Sequence, residues 1–266
     1  MLPKCPLFQI DAFSDRPFGG NPAAVCILQE EIPDTILQAI AAEMNLSETA
    51  YIWPKSEHFE LRWFTPTTEV PLCGHATLAS AWALWSEGYH PLEKPLIFQT
   101  KSGELRATLN KSWIELNFPA NFSSPVDCPE DLAIALGKPP VSVSTNSWGY
   151  LVEVSDPEFV RQYQPNRQQL LALPQPSLCI TALAEPDSDY QILSRFFAPQ
   201  FGIDEDPVTG AAHCFLGPYW RERLGQDTFL AYQASPRGGQ VRVTFSGGDR
   251  VTLGGQAVTV FRAQLG

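Results

Sequence analysis

The chain has 266 residues, 44% of them apolar and 18% charged, with a formal net charge of −11. That length allows one large domain or two small ones with a substantial core, and the composition is that of a soluble globular protein. The acid surplus argues against nucleic acid, whose binding depends on Lys and Arg contacts to phosphate, and reads as a solvated surface.

From the N-terminus, Met1 to Ile10 lacks the apolar core of an export signal. Phe8 to Phe13 alternates and predicts a strand, ended by the turn-rich Ser14-Asp15-Arg16-Pro17. Gly19-Gly20-Asn21-Pro22 is a second turn, and Ala23 to Leu28 reads as a buried strand. Asp34 is placed to cap a helix bearing Ile36, Leu37, Ile40, Ala41 and Met44 on one face, ended at Leu46-Ser47-Glu48-Thr49. Ala50 to Trp53 and Leu61 to Phe64 predict strands. Next comes a small-residue corner, Cys73-Gly74-His75-Ala76-Thr77, opening into an apolar helix over Leu78 to Leu84. The longest nearly apolar run, Ala76 to Trp85, is too short to span a bilayer, so no membrane partner is expected. Leu96 to Thr100 and Glu104 to Leu109 alternate around Lys101-Ser102-Gly103, a hairpin signal, and Trp113 to Phe118 follows as a strand.

Pro119 to Pro129 is polar and proline-punctuated, and is the candidate boundary between a first half, 1–120, and a second, 121–266, with the last C-terminal strand a candidate to complete the first. Beyond it, helices are predicted at Glu130 to Leu136 and Glu158 to Tyr163, and strands near Val141, Gly149 to Val154, Leu178 to Leu183 and Tyr190 to Phe197. A second corner, Glu205-Asp206-Pro207-Val208-Thr209-Gly210-Ala211-Ala212-His213, opens into a helix over Cys214 to Trp220. Gln240 to Phe245, Arg250 to Leu253 and Val258 to Phe261 close the chain as strands. The 24 prolines, many of them at expected element ends, favour short elements.

A turn that opens into a helix leaves backbone N–H groups unpaired at the positive end of the helix dipole, an anion-binding corner. Two such corners with titratable side chains suggest a small carboxylated substrate held between two similar halves. Glu48 reads either as a surface carboxylate at an element end or as an acid in a cleft, oriented by the hydroxyls of Ser47 and Thr49; burial would let it exchange a proton near neutral pH. Asp206 is placed to cap the Gly210 helix, where it stays ionised. His75 is either a hydrogen-bonded structural residue or a catalyst, and Cys73 beside it raises a thiolate nucleophile or base. Ser235-Pro236-Arg237-Gly238-Gly239 reads as a plain turn, with a cation for a substrate carboxylate as the alternative. The four histidines show no HxxxH or paired Cys/His spacing, and no nucleotide-binding loop is present, so neither a metal nor a cofactor is expected. Six cysteines without CxxC spacing read as free thiols in a reducing, cytoplasmic compartment.

Asp11-Ala12-Phe13, Gly20-Asn21-Pro22-Ala23-Ala24-Val25, Met44-Asn45-Leu46-Ser47-Glu48-Thr49, Arg62-Trp63-Phe64-Thr65-Pro66, Glu69-Val70-Pro71-Leu72-Cys73-Gly74-His75-Ala76-Thr77 and Glu205-Asp206-Pro207-Val208-Thr209-Gly210 together resemble the phenazine-biosynthesis isomerase-like (PhzF-like) family, in family order over nearly the whole chain. The resemblance implies an α+β, diaminopimelate-epimerase-like fold: two pseudo-symmetric halves, each a rolled, mostly antiparallel sheet around a central helix, with the site in the cleft between. It implies a cofactor-independent isomerase with Glu48 as general acid/base, assisted by His75 and Asp206. Ser47, Cys73, Gly74, Thr209, Gly210 and Ala211 are then substrate-binding, and a homodimer is admitted. Related epimerases use two facing cysteines. Cys73 matches one of them, while the second corner has none, so an epimerase or racemase using Cys73 is the alternative, and a binding protein without turnover a third reading. The phenazine enzyme carries Ala-Gly-His-Pro at the first corner where this chain has Cys73-Gly74-His75-Ala76, which leaves the substrate open.

Overall fold

The computed structural model describes residues 4–266, so the first three residues of the stretch read for an export signal lie outside it. In chain order the elements are β1 (Cys5–Ala12), β2 (Asn21–Ile27), α1 (Asp34–Met44), β3 (Glu48–Pro54), β4 (Phe59–Phe64), β5 (Glu69–Val70), α2 (Gly74–Ser86), β6 (Leu96–Thr100), β7 (Gly103–Asn110) and β8 (Trp113–Pro119). Then come β9 (Ser124–Pro125), α3 (Glu130–Leu136), β10 (Ser142–Thr145), β11 (Tyr150–Glu153), α4 (Pro157–Gln162), α5 (Arg167–Ala172), β12 (Leu178–Leu183), β13 (Ile192–Ala198) and a 3₁₀ turn at Pro199–Phe201. The chain ends with β14 (Ile203–Asp206), α6 (Gly210–Leu224), β15 (Thr228–Gln233), β16 (Gly239–Thr244), β17 (Arg250–Gly255) and β18 (Ala257–Leu265). This is a mixed α+β protein made mostly of strands. It divides into two compact units, residues 1–118 with 252–266, and residues 119–251.

In the first unit β1 lies between β2 and the C-terminal β18, antiparallel to both. β2 and β3 run parallel, and β3–β4 and β6–β7–β8 are antiparallel. The parallel β2–β3 step requires a crossover, which α1 supplies. α1 ends where Asn45 adopts a left-handed conformation (φ 52°) that Asn tolerates better than most residues, and its N–H still bonds Ala41 O. Leu37, Ile40 and Ala41 of α1 pack with Tyr51, Trp53 and Phe64. α2 is apolar on nearly every face and is buried accordingly, against β1, β2, β3 and β18. The close seat of β17 by this helix needs a glycine: a Cβ at Gly255 would stand 2.4 Å from Phe13 and 2.7 Å from Leu78.

In the second unit β9–β10–β11 and β12–β13–β14 are antiparallel, β11–β12 and β13–β15 parallel, and β15–β16 antiparallel. Leu132, Leu136, Val160, Tyr163, Leu170 and Phe197 are among the residues joining α3, α4 and α5 to the strands in one core cluster. α6, like α2, is buried over most of its length, from Gly210 to Trp220.

Several expectations change. Both corner helices begin at their glycines, Gly74 and Gly210, four residues before the apolar runs, because a first-turn residue has no intrahelical N–H bond to make and so suffers little from being glycine. Asp34 does not cap α1: Pro33 holds that position, and Asp34 pairs with Arg62 instead. β5, β9, β14, α5 and β15 were not foreseen in the sequence.

Candidate active site

Glu48 is the first residue of β3, beside Ala23 of β2, and His75 lies in the first turn of α2. The fold brings them together: His75 Nε2 is 3.3 Å from Glu48 Oε2, with side chains only 7% and 13% exposed. Ser47 Oγ is 3.4 Å from the same nitrogen and donates to Asn21 Oδ1 at 3.4 Å. On the other side of the ring, Asn21 Nδ2 lies 3.3 Å and Cys73 Sγ 3.5 Å from His75 Nδ1. With the Asn21 amide so oriented, Nδ1 accepts, and neutral His75 carries its proton on Nε2, pointing at Glu48. Burial raises the Glu48 carboxyl above the ordinary carboxylate range, and hydrogen bonds from Ser47 and Cys73 pull it back in part.

The start of α2 is held by Thr77, whose N–H and hydroxyl both donate to Cys73 O at 3.1 and 2.6 Å. No side chain caps this helix, and Gly74 lies in its first turn. Ser47, Glu48, Cys73, Gly74 and His75 are thus gathered in the first unit. Asn21 joins them, a residue that sequence reasoning gave no role; the signal was a lone amide at the head of the otherwise apolar Pro22 to Ile27.

The remaining expected site residues form a separate network in the second unit. Asp206 is the last residue of β14 and does not cap α6, since Thr209 occupies the N-cap. Thr209 Oγ1 turns back to donate to Asp206 Oδ2 at 2.6 Å, so the helix start at Gly210 and Ala211 has no side-chain cap. The corner is clamped by Gln233 of β15, fully buried: its Oε1 accepts from Thr209 N at 2.8 Å, and its Nε2 donates to Asp206 O at 2.7 Å and Thr209 Oγ1 at 3.1 Å. His213, also fully buried, lies 2.7 Å from Thr209 O through Nδ1, and burial lowers its pKa to about 4, so the ring is neutral and Nδ1 carries the proton. Next to Asp206, Glu205 receives a bidentate ion pair from the buried Arg195, whose remaining guanidinium nitrogen donates to Val160, Arg161 and Tyr163 carbonyls. Gln233 was missed because its strand was missed.

At Ser235-Pro236-Arg237-Gly238-Gly239 the Ser235 hydroxyl donates to Pro207 O and accepts from Gly238 N, the bonding of a turn that braces the second corner. A surface depression of about 510 Å³ beside Arg62 and Lys101 is no rival site, because Arg62 is already engaged by Glu31, Asp34 and Glu69. All six cysteines are free thiols. No helix among the described residues is long and apolar enough to cross a membrane.

A protein of Halalkalibacterium halodurans named an uncharacterized isomerase is 46% identical over 261 residues, covering 98% of each chain. The crystal structure of a phenazine biosynthesis protein of the PhzF family from Enterococcus faecalis superposes with a TM-score of 0.93 at 37% identity, covering 98% of each chain. A hydroxyproline epimerase from Agrobacterium vitis shares the fold, with a TM-score of 0.62 at 13% identity over 98% of this chain and 92% of its own. The family model for phenazine biosynthesis-like proteins matches residues 10–263, and the chain belongs to that family.

Proposed function

We propose that the protein is an isomerase that moves a proton between carbons of a small carboxylated substrate, without a cofactor, using Glu48 as general acid/base. The observation that carries this reading is the buried Glu48 with its raised pKa, 3.3 Å from His75 Nε2. A carboxyl group shifted toward neutrality is matched to giving and taking a proton at physiological pH. Ionised Glu48 takes the proton from a carbon beside an electron-withdrawing group. The electron pair delocalises into that group, and Glu48 returns the proton at a second carbon. His75 Nε2–H orients the carboxylate between the two transfers, and the Gly74 amide at the uncapped start of α2 suits the developing negative charge. In the second unit the uncapped amides of Gly210 and Ala211 suit an anionic group. Asp206, held by the Thr209 hydroxyl, suits an ammonium or hydroxyl group.

Cys73 gives a second reading some support, because its sulfur lies 3.5 Å from His75 Nδ1, a base that can take its proton in an epimerase mechanism. Incubation in heavy water with a panel of small amino and hydroxy acids separates the readings. An isomerase places deuterium on a new carbon, and an epimerase on the same carbon with inversion. Thermal stabilisation by a ligand without any exchange identifies a binding protein and overturns the proposal.

A further inference from the structure

We infer that Glu48, Cys73 and His75 also form a binding site for a thiophilic divalent cation of the zinc class, and that its occupation silences the acid/base. A carboxylate oxygen, a thiol sulfur and an imidazole nitrogen from these residues all lie within 4.8 Å of one another. They come from the head of β3 and the start of α2, so no ligand spacing in the sequence betrays them. A tetrahedral zinc with nitrogen and oxygen at about 2.0–2.1 Å spaces those ligands about 3.3 Å apart. Glu48 Oε2 and His75 Nε2 already stand at 3.3 Å. The sulfur lies 3.5 Å from Nδ1, so the third bond requires the Cys73 side chain to turn toward the carboxylate. Asn21 at Nδ1 is placed to orient the ring from behind, with its amide turned to accept once Nε2 is committed to metal. Ser47 Oγ or water takes the open fourth position.

The donor set of thiolate, imidazole and carboxylate suits zinc or cobalt and not magnesium. Two anionic ligands neutralise the divalent charge, which offsets the unfavourable placement of a cation at a helix start. On binding, the metal forms bonds to sulfur, nitrogen and oxygen, and the thiol proton, with any proton on Glu48, leaves to buffer. Glu48, with its charge shared with the metal, is then a much weaker base toward a substrate proton. The binding itself does not depend on the isomerase reading; the inhibitory consequence does.

The test uses the full-length protein and the metals alone. Titration of CoCl₂ should give one equivalent bound, with a thiolate-to-cobalt charge-transfer band and the intense visible absorption of a tetrahedral site. ZnCl₂ should displace the cobalt, and MgCl₂ should do neither. Calorimetry in buffers of different ionisation enthalpy should show proton release. Cys73→Ser should lose the charge-transfer band and bind at least tenfold more weakly, while Cys128→Ser, at the only half-exposed thiol, should change neither. No cobalt uptake by the wild type, or uptake unaffected by Cys73→Ser, overturns the inference. Should Cys73→Ser fail to fold, anomalous diffraction from wild-type crystals soaked in CoCl₂ decides: a peak between Glu48 and His75 supports the site, and a peak only elsewhere, or none, refutes it. Isomerase activity measured in EDTA is read separately, so failure of the isomerase reading leaves the metal binding standing, and failure of the metal binding leaves the isomerase reading standing.

Discussion

Burial holds the Glu48 proton, and Ser47 and Cys73 oppose it. Two consequences belong to this residue. Glu48→Gln keeps the shape and hydrogen-bonding capacity but cannot carry a proton, so turnover should fall by about 10²–10⁴. Cys73→Ser should cost far less; a larger loss from Cys73→Ser in heavy-water exchange would show that the thiol carries the proton. The second consequence concerns stability. The native carboxyl binds its proton more tightly than the unfolded one, so stability falls as pH rises through the window between the unfolded value and the raised native one. Glu48→Gln removes that penalty. Its melting temperature should exceed that of the wild type at neutral pH, and the gap should close below the ordinary carboxylate range; thermal melts across pH 3 to 8 check both arms. His213 acts with the opposite sign. Its native pKa is lowered to about 4, so it favours unfolding as pH falls from the ordinary histidine value toward that figure. His213→Asn should flatten the acid limb of the same melts. Cys73 and His75 are neighbours in the sequence, but the approach of Glu48 to them was legible only through the order of family motifs, since hydrophobic periodicity carries no distance between a strand head and a helix start far along the chain. Asn21 and Gln233 were not legible, because a single amide in an apolar run carries no chemistry until its partners are known.

At the level of elements, reading succeeded where one face is buried and failed where burial and residue type part company. α3, β6 and β12 have the spans their residue patterns predict, and α1 starts one residue earlier than predicted, at Asp34. β15 escaped because Thr228 to Gln233 buries Phe229, Ala231 and Gln233 while Leu230 and Tyr232 are half-buried, so burial alternates and hydrophobicity does not. β5 and β9 have two residues each, too short for any period to register. The cost of missing β15 is functional, for its last residue holds the β14–α6 corner together. Gln233→Ala leaves the Thr209 N–H and the Asp206 carbonyl without their buried partner, a loss of about 2 kcal/mol and roughly 5 °C in melting temperature. Gln233→Glu should be tolerated less well than its isosteric size suggests, because a carboxylate accepts from Thr209 N but repels the Asp206 carbonyl. Calorimetric melts of both variants test this; an unchanged melting temperature in Gln233→Ala would show that the corner holds without its clamp.

Across the whole molecule, the first unit is closed by the end of the chain: β18 pairs with β1 from Cys5↔Leu265 to Ala12↔Ala257. β1 in turn pairs along β2, whose first residue is Asn21. Deletion of residues 257–266 strips β1 of its outer partner and bares an edge of buried strand, so the shortened protein should aggregate, with Glu48 losing its raised pKa in whatever remains soluble. Native-like melting of that truncation would show β18 to be dispensable. The same pairing sets a clock on synthesis. Residues 119–251 leave the ribosome complete, whereas the unit containing residues 1–118 waits for 252–266. At ordinary translation rates that wait is on the order of 10 s. The half of the chain made first is therefore finished last, and a nascent β1 must be kept from pairing with strangers until its own terminus arrives.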